Sequence, residues 1–395
     1  MRILQVCHKS PFPPSEGGPM AMKAIRDGLL AAGHHVHTFT LSTPKFTVSD
    51  AMATKISYFS HSFIDTSVYI WPAFRDLCLN RSHHVSRFYN DKTAASLLQI
   101  LQKSSFDAVL IESIFMMPYF KMIRKFFSGP IILRSHNVEH LIWERIAANE
   151  TNILKKKYLQ ILSKQLRRFE INCFLQADAI AAISSNDADS VRRLAPDADV
   201  VPIPFAIGLQ NGPIPQKSFC ARFGHIGSMD WAPNLEGIDW FLNFVWPLVI
   251  KKCPQASFFL AGRNMPSRFV SNQSLNLFVE GEVESSSQFM LSLDALIVPL
   301  FSGSGVRIKI AEALSLGVPV ITTPVGSEGL LVKNGRDIII SDNALQMTTD
   351  ICRVIDNPDL LQNISENGLN TIRKHHSSET ITQNLIALIE RKMKS

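Results

Sequence analysis

The segment "ALIVPLFSGSGVRIKIAEALSLGVPVIT", residues 295–322, contains a complete strand–helix–strand unit. Its apolar start predicts a buried strand, and Phe301–Gly305 is the glycine-rich loop that leaves it. A helical pattern covers Val306–Leu316, and Pro319–Thr322 predicts the next strand. A strand, a helix and a second strand in this order are typical of a right-handed crossover in a parallel sheet.

The same alternation runs through the whole chain. Predicted strands form two series of six, namely Ile3–Cys7, His35–Leu41, Ala108–Ile111, Ile131–Arg134, Ala179–Ile183 and Val200–Ile203, then Phe223–Ile226, Ser257–Ala261, Leu275–Val279, Ala295–Pro299, Pro319–Thr322 and Asp337–Ile340. Helical patterns fill most gaps, including a long one at Leu235–Ile250. Two series predict two doubly wound α/β domains, whereas a (β/α)8 barrel would show eight units in one series.

The boundary between the two series is the segment "VPIPFAIGLQNGPIPQKS", residues 201–218. It holds four prolines and two glycines and has no periodicity, as a linker should. The sequence therefore predicts one domain over residues 1–205 and a second over residues 206–377. Ligands of doubly wound folds lie beyond the carboxyl ends of the strands, so we expect the site in a cleft between the two domains.

Composition limits the classes of function. Of 395 residues, 46% are hydrophobic and 19% are charged, which is typical of a soluble globular protein. The six cysteines are scattered without a C-x-x-C pair, and this indicates reduced thiols in a cytoplasmic protein. Residues 1–205 carry 24 Lys and Arg against 17 Asp and Glu, while residues 206–395 carry 16 against 17. The basic surplus of the first half favours a solvated basic face or attraction to an anionic membrane surface or acceptor; no nucleic-acid-binding motif is present.

Three strand ends in the second half carry small or polar residues. Gly227 and Ser228 follow one strand, and Asn234 lies close to the start of the next helix. Gly262 and Gly281 follow two further strands. Glycines and a helix N-terminus at this edge of a sheet predict close approach of a ligand to the backbone.

The opening segment adds charge to this edge. Gly303, Ser304 and Gly305, with the backbone amides up to Val306, form a turn that can approach an anion. Arg307 in the first helical turn and Lys309 supply positive charge that can neutralise a diphosphate. Glu312 lies three residues after Lys309 on the same face, and we expect its carboxylate to accept hydrogen bonds from a ribose diol. The alternative is a plain turn followed by a surface Lys–Glu pair.

The first half offers a second glycine pair. Gly17 and Gly18 follow the proline-rich stretch "HKSPFPPSE" and precede a helix, so their amides suit a phosphate or a sugar; the alternative is a plain turn. No G-x-G-x-x-G follows the first strand, which argues against a nicotinamide or flavin enzyme.

The string "SHNVEH", residues 135–140, allows two interpretations. His136 follows a strand and is a candidate hydrogen-bonding group for a sugar hydroxyl or phosphate, as is Glu112 at the end of "AVLIE". His136 to His140 also match H-x-x-E-H, the inverted zinc-protease pattern. That chemistry needs both histidines on one helix and a third ligand, whereas here a strand ends directly before His136.

With these motifs, the chain resembles a family-4 retaining glycosyltransferase, of glycosyltransferase group 1, with the GT-B fold. The resemblance rests on "PFPPSEGG", "RSHNVEH", "GSMDWAPNLEGIDWF" and "SGSGVRIKIAEALSLGVPVITTPVGSEGL" and spans nearly the whole chain. It implies a first domain that binds the acceptor and a second that binds a nucleotide-sugar donor. It also implies that the last helix, from Ser378 onward (378–395), returns to the first domain.

The resemblance assigns roles to single residues. The second Glu of the family's E-x7-E motif falls on Glu312, the implied ribose contact, but the first falls on Ser304. The arginine and lysine of the family's G-R…K-G loop are also absent, since Gly227, Ser228 and Asn234 stand there. The sequence resembles instead a branch with G-S-G-x-R-x-K, in which Arg307 and Lys309 take over the diphosphate.

The predicted reaction is transfer of a sugar, with retention of configuration, to a lipid-linked or polysaccharide acceptor in bacterial surface polysaccharide synthesis. Arg307 and Lys309 stabilise the leaving diphosphate, His136 holds the donor sugar or the acceptor, and we expect neither a metal nor a cofactor. We expect a cytoplasmic protein, peripheral at the inner membrane face. A GT-B-fold sugar-nucleotide epimerase and a catalytically silent binding subunit are the alternatives.

Overall fold

The computed structural model describes residues 1–14, 17–207, 218–302 and 306–394. The chain divides into two compact units: unit 1 is Met1–Ala206 together with Ser378–Ser395, and unit 2 is Ile207–Ser377. Most of the predicted linker, residues 208–217, lies outside the described residues, as do Gly303, Ser304 and Gly305.

Unit 1 is built on a parallel sheet of seven strands. The strands are β1 (Arg2–Cys7), β2 (His35–Ser42), β3 (Phe59–Phe63), β4 (Ala108–Glu112), β5 (Ile131–Ser135), β6 (Ala179–Ala182) and β7 (Val200–Pro202). Their spatial order is β3-β2-β1-β4-β5-β6-β7, so the strand order reverses between β1 and β4. The central strands are buried along their whole length, as expected of a sheet covered by helices on both faces.

Nine helices precede the unit boundary along the described chain. They are α1 (Gly17–Ala31), α2 (Asp50–Ala53), α3 (Ile70–Cys78), α4 (His83–Ser86), α5 (Asp91–Lys103), α6 (Phe120–Phe126), α7 (Glu139–Asn149), α8 (Ile153–Gln176) and α9 (Ser185–Leu194), with a short 3₁₀ helix at Ile114–Tyr119. None of the helices in the described part of the chain combines the length and hydropathy that a membrane span requires.

Unit 2 repeats the architecture with six parallel strands. These are β8 (Arg222–Ile226), β9 (Ser257–Ala261), β10 (Leu277–Gly281), β11 (Ala295–Val298), β12 (Val320–Thr322) and β13 (Ile339–Ile340). The order is β10-β9-β8-β11-β12-β13, and it reverses between β8 and β11. The predicted fold class, two doubly wound α/β domains, is confirmed.

The helices of unit 2 are α10 (Ala232–Phe244), α11 (Trp246–Lys252), α12 (Ser286–Leu291), α13 (Ile308–Ser315), α14 (Pro324–Ser327), α15 (Ala344–Asp356) and α16 (Pro358–His376), with a 3₁₀ turn at Gln273–Leu275. The last helix, α17 (Ser378–Lys394), packs on α1 in unit 1. Ile381, Leu385 and Ile389 of α17 share a buried cluster with Ile25 and Leu29 of α1.

Three elements differ from their sequence-based expectation. β3, "FSHSF", was missed because it is a half-exposed edge strand without an apolar run. The helix expected over Leu235–Ile250 is two helices that meet at Val245, and Pro247 stands in the first turn of the second. The helix of the opening segment begins at Ile308 rather than at Val306, which places Arg307 at its N-cap position instead of in its first turn.

Candidate functional site

In unit 2, the loops after β8 and β9 contact each other through glycines. The N–H of Gly227 donates to the Ala261 carbonyl at 3.2 Å, and the N–H of Gly262 donates to the Gly281 carbonyl at 2.6 Å. Gly262 has φ +151°, and a Cβ there would lie 1.7 Å from the Gly227 carbonyl oxygen. Only glycine fits, so the backbone itself forms this edge of the sheet.

Lys309 reaches this edge from α13. Its Nζ donates to Asn234 Oδ1 at 2.9 Å and lies 3.4 Å from His225 Nε2. The Asn234 amide is held in turn, because its Nδ2 donates to the Ser228 carbonyl at 2.8 Å. A Cβ on Gly227 would lie 2.6 Å from Lys309 Nζ, so glycine at 227 leaves the space that the ammonium occupies. Four predicted site residues are therefore brought together at the strand-order reversal, where doubly wound folds bind ligands.

His225, in β8, was not predicted from the sequence. Its side chain is buried, and its Nδ1 lies 2.8 Å from the Ile297 carbonyl, which can only accept. Nδ1 therefore carries the hydrogen, and the Nε2 lone pair points to Lys309. Burial, and second the charge of Lys309, lower the pKa of His225 well below its ordinary value, so the imidazole is neutral. A histidine in an otherwise apolar buried strand was the signal that could have found it.

The ammonium of Lys309 is held by neutral groups. Burial, and second the positive charge of Arg307, lower the pKa of Lys309 from its ordinary 10.5 to about 7. Arg307 is itself only 5% exposed, with its guanidinium carbon 5.9 Å from the Trp231 ring centroid. A buried ammonium bonded to neutral acceptors, with a second cation nearby, is a position that an anion stabilises.

Glu312 does not pair with Lys309, although the two share α13. Glu312 Oε1 accepts from the hydroxyls of Ser286 at 2.9 Å and Ser287 at 3.2 Å, both at the start of α12. The alternative of a plain surface Lys–Glu pair is therefore wrong for this helix, because each side chain has other partners. Glu312 is half-buried and held in place, with its second carboxylate oxygen outside these two bonds.

In unit 1, Glu112 is the centre of a buried network at the ends of β1, β4 and β5. Its Oε2 accepts from His136 Nε2 at 2.7 Å and lies 3.6 Å from Arg134 Nε, while Oε1 accepts from Gln5 Nε2 at 2.8 Å. Burial alone would raise the pKa of Glu112. The hydrogen bond and charge of His136, the charge of Arg134 and the Gln5 amide outweigh it, and the pKa falls below its usual value. Glu112 has no exposed surface, so the structure corrects its predicted role: it positions His136 rather than contacting a ligand.

The two histidines of H-x-x-E-H are hydrogen-bonded to different carboxylates. His136 lies in the loop after β5, whereas His140 lies in α7 and its Nδ1 is 2.6 Å from Glu170 Oε2. The same Glu170 accepts the backbone N–H groups of Glu139 and His140 at 2.8 Å each. Among the described residues, no group of three His, Cys, Asp or Glu side chains is placed to hold a metal ion. The zinc-protease interpretation is therefore not supported by these positions.

Two further polar side chains, His8 and Glu139, have strongly shifted pKa values and were not among the predicted site residues. His8, after β1, places its Nδ1 3.0 Å from the Glu112 carbonyl, and burial followed by the Lys9 charge lowers its pKa to about 3. Burial also raises the pKa of Glu139 to about 7; the Asn137 amide opposes this shift and the Glu170 charge adds to it. For His8 the available signal was a polar residue directly after an apolar strand, whereas Glu139 begins α7 and is the Glu of the H-x-x-E-H string.

The glycine pair of unit 1 is where the sequence places it, at the start of α1. Gly17 is the first residue of this 15-residue helix. A Cβ on Gly18 would lie 2.8 Å from Lys9 Cε and 3.0 Å from its Nζ. A lysine ammonium therefore lies beside the N-terminal turn of α1, and both favour an anion there.

Known proteins resemble the chain both within unit 2 and over nearly its full length. Residues 221–357, within unit 2, match the family model of the glycosyl transferases group 1. Over 396 aligned positions the chain is 22% identical to the "Uncharacterized 44.6 kDa protein in cps region" of Klebsiella pneumoniae, covering 96% of this chain and 97% of that protein.

Two solved structures share the fold over nearly the full length. Sucrose-phosphate synthase from Thermosynechococcus elongatus superposes with a TM-score of 0.70 at 15% identity, covering 99% of both chains. A mutant of S. aureus TarM in complex with Fondaparinux, alpha-GlcNAc-glycerol and UDP superposes with a TM-score of 0.68 at 12% identity, covering 98% of this chain and 99% of TarM. The GT-B fold is thereby confirmed.

Proposed function

We propose that this protein transfers a sugar from a nucleotide-sugar donor to a glycan acceptor, with retention of configuration. The match of residues 221–357 to the family model of the group 1 glycosyl transferases supports this proposal. The observation that carries the proposal is the position of Lys309. Its ammonium is held by Asn234 and His225 at the carboxyl end of β8, beside Arg307, with no carboxylate in those bonds.

The donor diphosphate is the anion that suits this arrangement. When the bond between the sugar and the diphosphate breaks, negative charge builds up on the leaving phosphate. Arg307 and Lys309 stabilise that charge more strongly in the transition state than in the bound donor, because it is then larger. In this proposal the two side chains supply the positive charge, no metal is required, and the leaving phosphate takes the proton of the acceptor.

Glu312 and His136 have supporting roles in the proposal. The carboxylate of Glu312, fixed by Ser286 and Ser287, accepts from the ribose hydroxyls of the donor. His136, fixed by Glu112, bonds a hydroxyl of the donor sugar or of the acceptor. Gly17 and Gly18 are proposed to contact acceptor or phosphate oxygens through backbone amides.

The acceptor is proposed to be a lipid-linked or polysaccharide glycan of a bacterial surface. The Klebsiella pneumoniae relative is described as lying in a cps region, and TarM was solved with alpha-GlcNAc-glycerol and UDP. The basic surplus of residues 1–205 supports work at an anionic membrane face.

The proposal is tested first by nucleotide binding. In a thermal-shift panel of UDP, GDP, ADP and their sugars, we expect one nucleotide series to raise the melting temperature, because ligands that bind the folded state stabilise it. Arg307→Ala should weaken binding of that nucleotide by ~1.5–3 kcal/mol through the lost charged hydrogen bonds. Arg353→Ala, at an exposed arginine of α15, is the matched control and should bind normally.

The second measurement is turnover. The best-binding nucleotide-sugar is incubated with lipid-linked and glycan acceptors, and product is followed with and without EDTA. Donor binding without any product would favour a binding subunit, and donor isomerised without acceptor would favour an epimerase. No turnover with any acceptor, together with unchanged affinity in Arg307→Ala, would reject the proposal.

A further inference from the structure

Helix α8 in unit 1 presents an apolar stripe to solvent. Leu154, Tyr158 and Ile161 are four and three residues apart, which places them on one face, and all three are exposed. Leu154 is 80% exposed, and Ile153 beside it is 71% exposed. The adjacent face of the same helix packs into the core of unit 1 through Leu159, Leu162 and Leu166. The exposed stripe is therefore additional to the face that the fold needs.

The exposed charged side chains of α8 are all positive, and Lys155 is paired with Glu150 of the preceding loop, with 2.6 Å between Nζ and Oε2. The helix contains six Lys and Arg and one acidic residue, Glu170, in the sequence "ILKKKYLQILSKQLRRFEINCFLQ". Glu170 is fully buried and bonded to His140, so it does not offset the cations at the surface. Lys157 and Lys164 each follow a stripe residue by three positions, and Arg168 continues that row, so cations border the stripe.

A second helix of unit 1, α3, repeats the pattern. Ile70 and Trp71 are 85% and 81% exposed, and Phe74 on the same face is exposed as well. The two helices are connected, since Gln165 Nε2 of α8 donates to the Leu77 carbonyl of α3 at 3.3 Å. Unit 1 thus has two neighbouring helices with outward apolar faces. We call these faces the apolar surface of unit 1, defined by Ile70, Trp71, Phe74, Leu154, Tyr158 and Ile161.

Charge and side-chain type decide which partner fits this surface. A second copy of the chain would bring the cations of α8 against like charges, which is unfavourable. A nucleic acid would engage the cations but would leave Leu154, Ile161 and Ile70 in water. An anionic bilayer accommodates both the cations and the apolar side chains. The apolar side chains enter the acyl boundary, Lys and Arg contact the headgroups, and Trp and Tyr favour the interface.

We propose that unit 1 docks on an anionic lipid surface through the apolar surface of unit 1, with α8 lying along the headgroups. The inference deepens the proposed function, because it names the surface through which the protein reaches a lipid-linked acceptor. Only the role of the surface in reaching that acceptor rests on the proposed function. Docking itself needs neither donor nor acceptor.

The test is co-sedimentation of the full chain with vesicles. Phosphatidylcholine vesicles containing phosphatidylglycerol should retain the protein, vesicles of phosphatidylcholine alone should not, and added salt should release it. Leu154→Glu with Ile161→Glu should weaken binding at least tenfold, because two apolar anchors are lost; roughly this factor follows from one buried Leu. Leu345→Glu, at a leucine of α15 in unit 2 that is 67% exposed, is the matched control.

The cations are tested separately. Replacing Lys157, Lys164 and Arg168 by Ala should weaken binding by roughly a hundredfold, since each basic residue near an anionic surface contributes about a factor of five. Trp71→Ser tests α3 alone and should also weaken binding. Far-ultraviolet circular dichroism confirms that each variant is folded; a variant that fails to fold is replaced by its single substitutions.

The possible results separate the inference from the proposed function. Absence of binding to anionic vesicles, or equal binding by Leu154→Glu/Ile161→Glu and wild type, overturns the docking surface. A concentration-dependent dimer that these substitutions abolish overturns it in favour of a second copy. The nucleotide panel is run on the same samples, so vesicle binding without any nucleotide shift rejects the proposed function while the docking surface stands.

Discussion

Lys309 is the residue on which the donor site depends. Its hydrogen-bonding partners are an amide oxygen and a neutral imidazole, and its charged neighbour is Arg307. A lysine that donates to a carboxylate keeps its proton well above neutral pH, but here burial without such a partner lowers the pKa to about 7. The free site is therefore partly protonated under physiological conditions, and an arriving diphosphate favours the charged form.

Nucleotide affinity should consequently depend on pH. Between pH 7 and about 8.5 the free protein loses the Lys309 proton, and binding of the nucleotide must restore it, so the dissociation constant should rise by up to about tenfold per pH unit. Isothermal titration calorimetry in buffers of different ionisation enthalpy should record proton uptake. Lys309→Met should bind weakly with a flat profile, and Lys333→Met, at an exposed lysine, should follow the wild type.

Stability of the free protein should change in the opposite direction. The unfolded chain holds the Lys309 proton up to its ordinary pKa of 10.5, whereas the folded chain releases it near 7. Because the unfolded state binds more protons in this range, the contribution of Lys309 to the free energy of unfolding rises with pH.

A wild-type nucleotide affinity that stays constant from pH 7 to about 8.5 would contradict the assignment of Lys309 to the diphosphate.

Glu112 gives a stability prediction of its own. Glu112→Gln removes the negative charge that faces buried Arg134 and should lower the free energy of unfolding of unit 1 by about 3 kcal/mol, the range for breaking a buried ion pair. The pKa of Glu112 is lowered, so its contribution is present above the ordinary value of 4.5 and is lost as pH falls below it. Urea unfolding as a function of pH measures both effects.

Glu112→Gln has a matched control in the same unit. Glu144→Gln, at an exposed position of α7, should change neither the stability nor its dependence on acid. If Glu112→Gln unfolds at the same urea concentration as the wild type, the carboxylate is not what holds Arg134 and His136.

At the scale of elements, the sequence predicted those whose signal is local. Strands such as β4 and β11, which are buried along their whole length, are recognisable in the sequence as apolar runs. The single helix predicted over Leu235–Ile250 is wrong because the apolar pattern continues across the break at Val245. β3 has no such run, and its pairing with β2 is what makes it a strand. Local pattern therefore identifies an element, but tertiary pairing decides its existence at the sheet edge.

The H-x-x-E-H string makes the same point for a motif. Its spacing matches a zinc site, but the spacing has chemical meaning only if both histidines lie on one helix. α7 begins at Glu139, and Glu170 of α8 covers its N-terminus by accepting from two backbone amides. The element boundary thus separates His136, which faces Glu112, from His140, which is buried against Glu170.

At the scale of the whole molecule, the sequence predicted strand-end residues but not their partners. Gly227, Asn234 and Lys309 were each identified by their position after a strand or in the following helix. That Lys309 contacts Asn234, 75 residues earlier, and His225, 84 residues earlier, depends on the crossover from β8 to β11. Contacts between positions so far apart leave no trace in a local pattern, so a histidine in a buried strand could be noticed at 225 but its contact with Lys309 could not be predicted.

The return of α17 to unit 1 gives the prediction for the molecule as a whole. Leu385 is fully buried among residues of α1 and the sheet, although the helix follows unit 2 in the chain. Leu385→Ala should therefore lower the stability of unit 1 by about 2–5 kcal/mol, the range for a cavity in a core. Hydrogen exchange followed by mass spectrometry should show faster exchange in β1 and unchanged exchange in β8, with nucleotide binding retained. Met393→Ala, at an exposed position of the same helix, should leave both strands protected. Faster exchange in β8 alone would mean that α17 stabilises unit 2 instead.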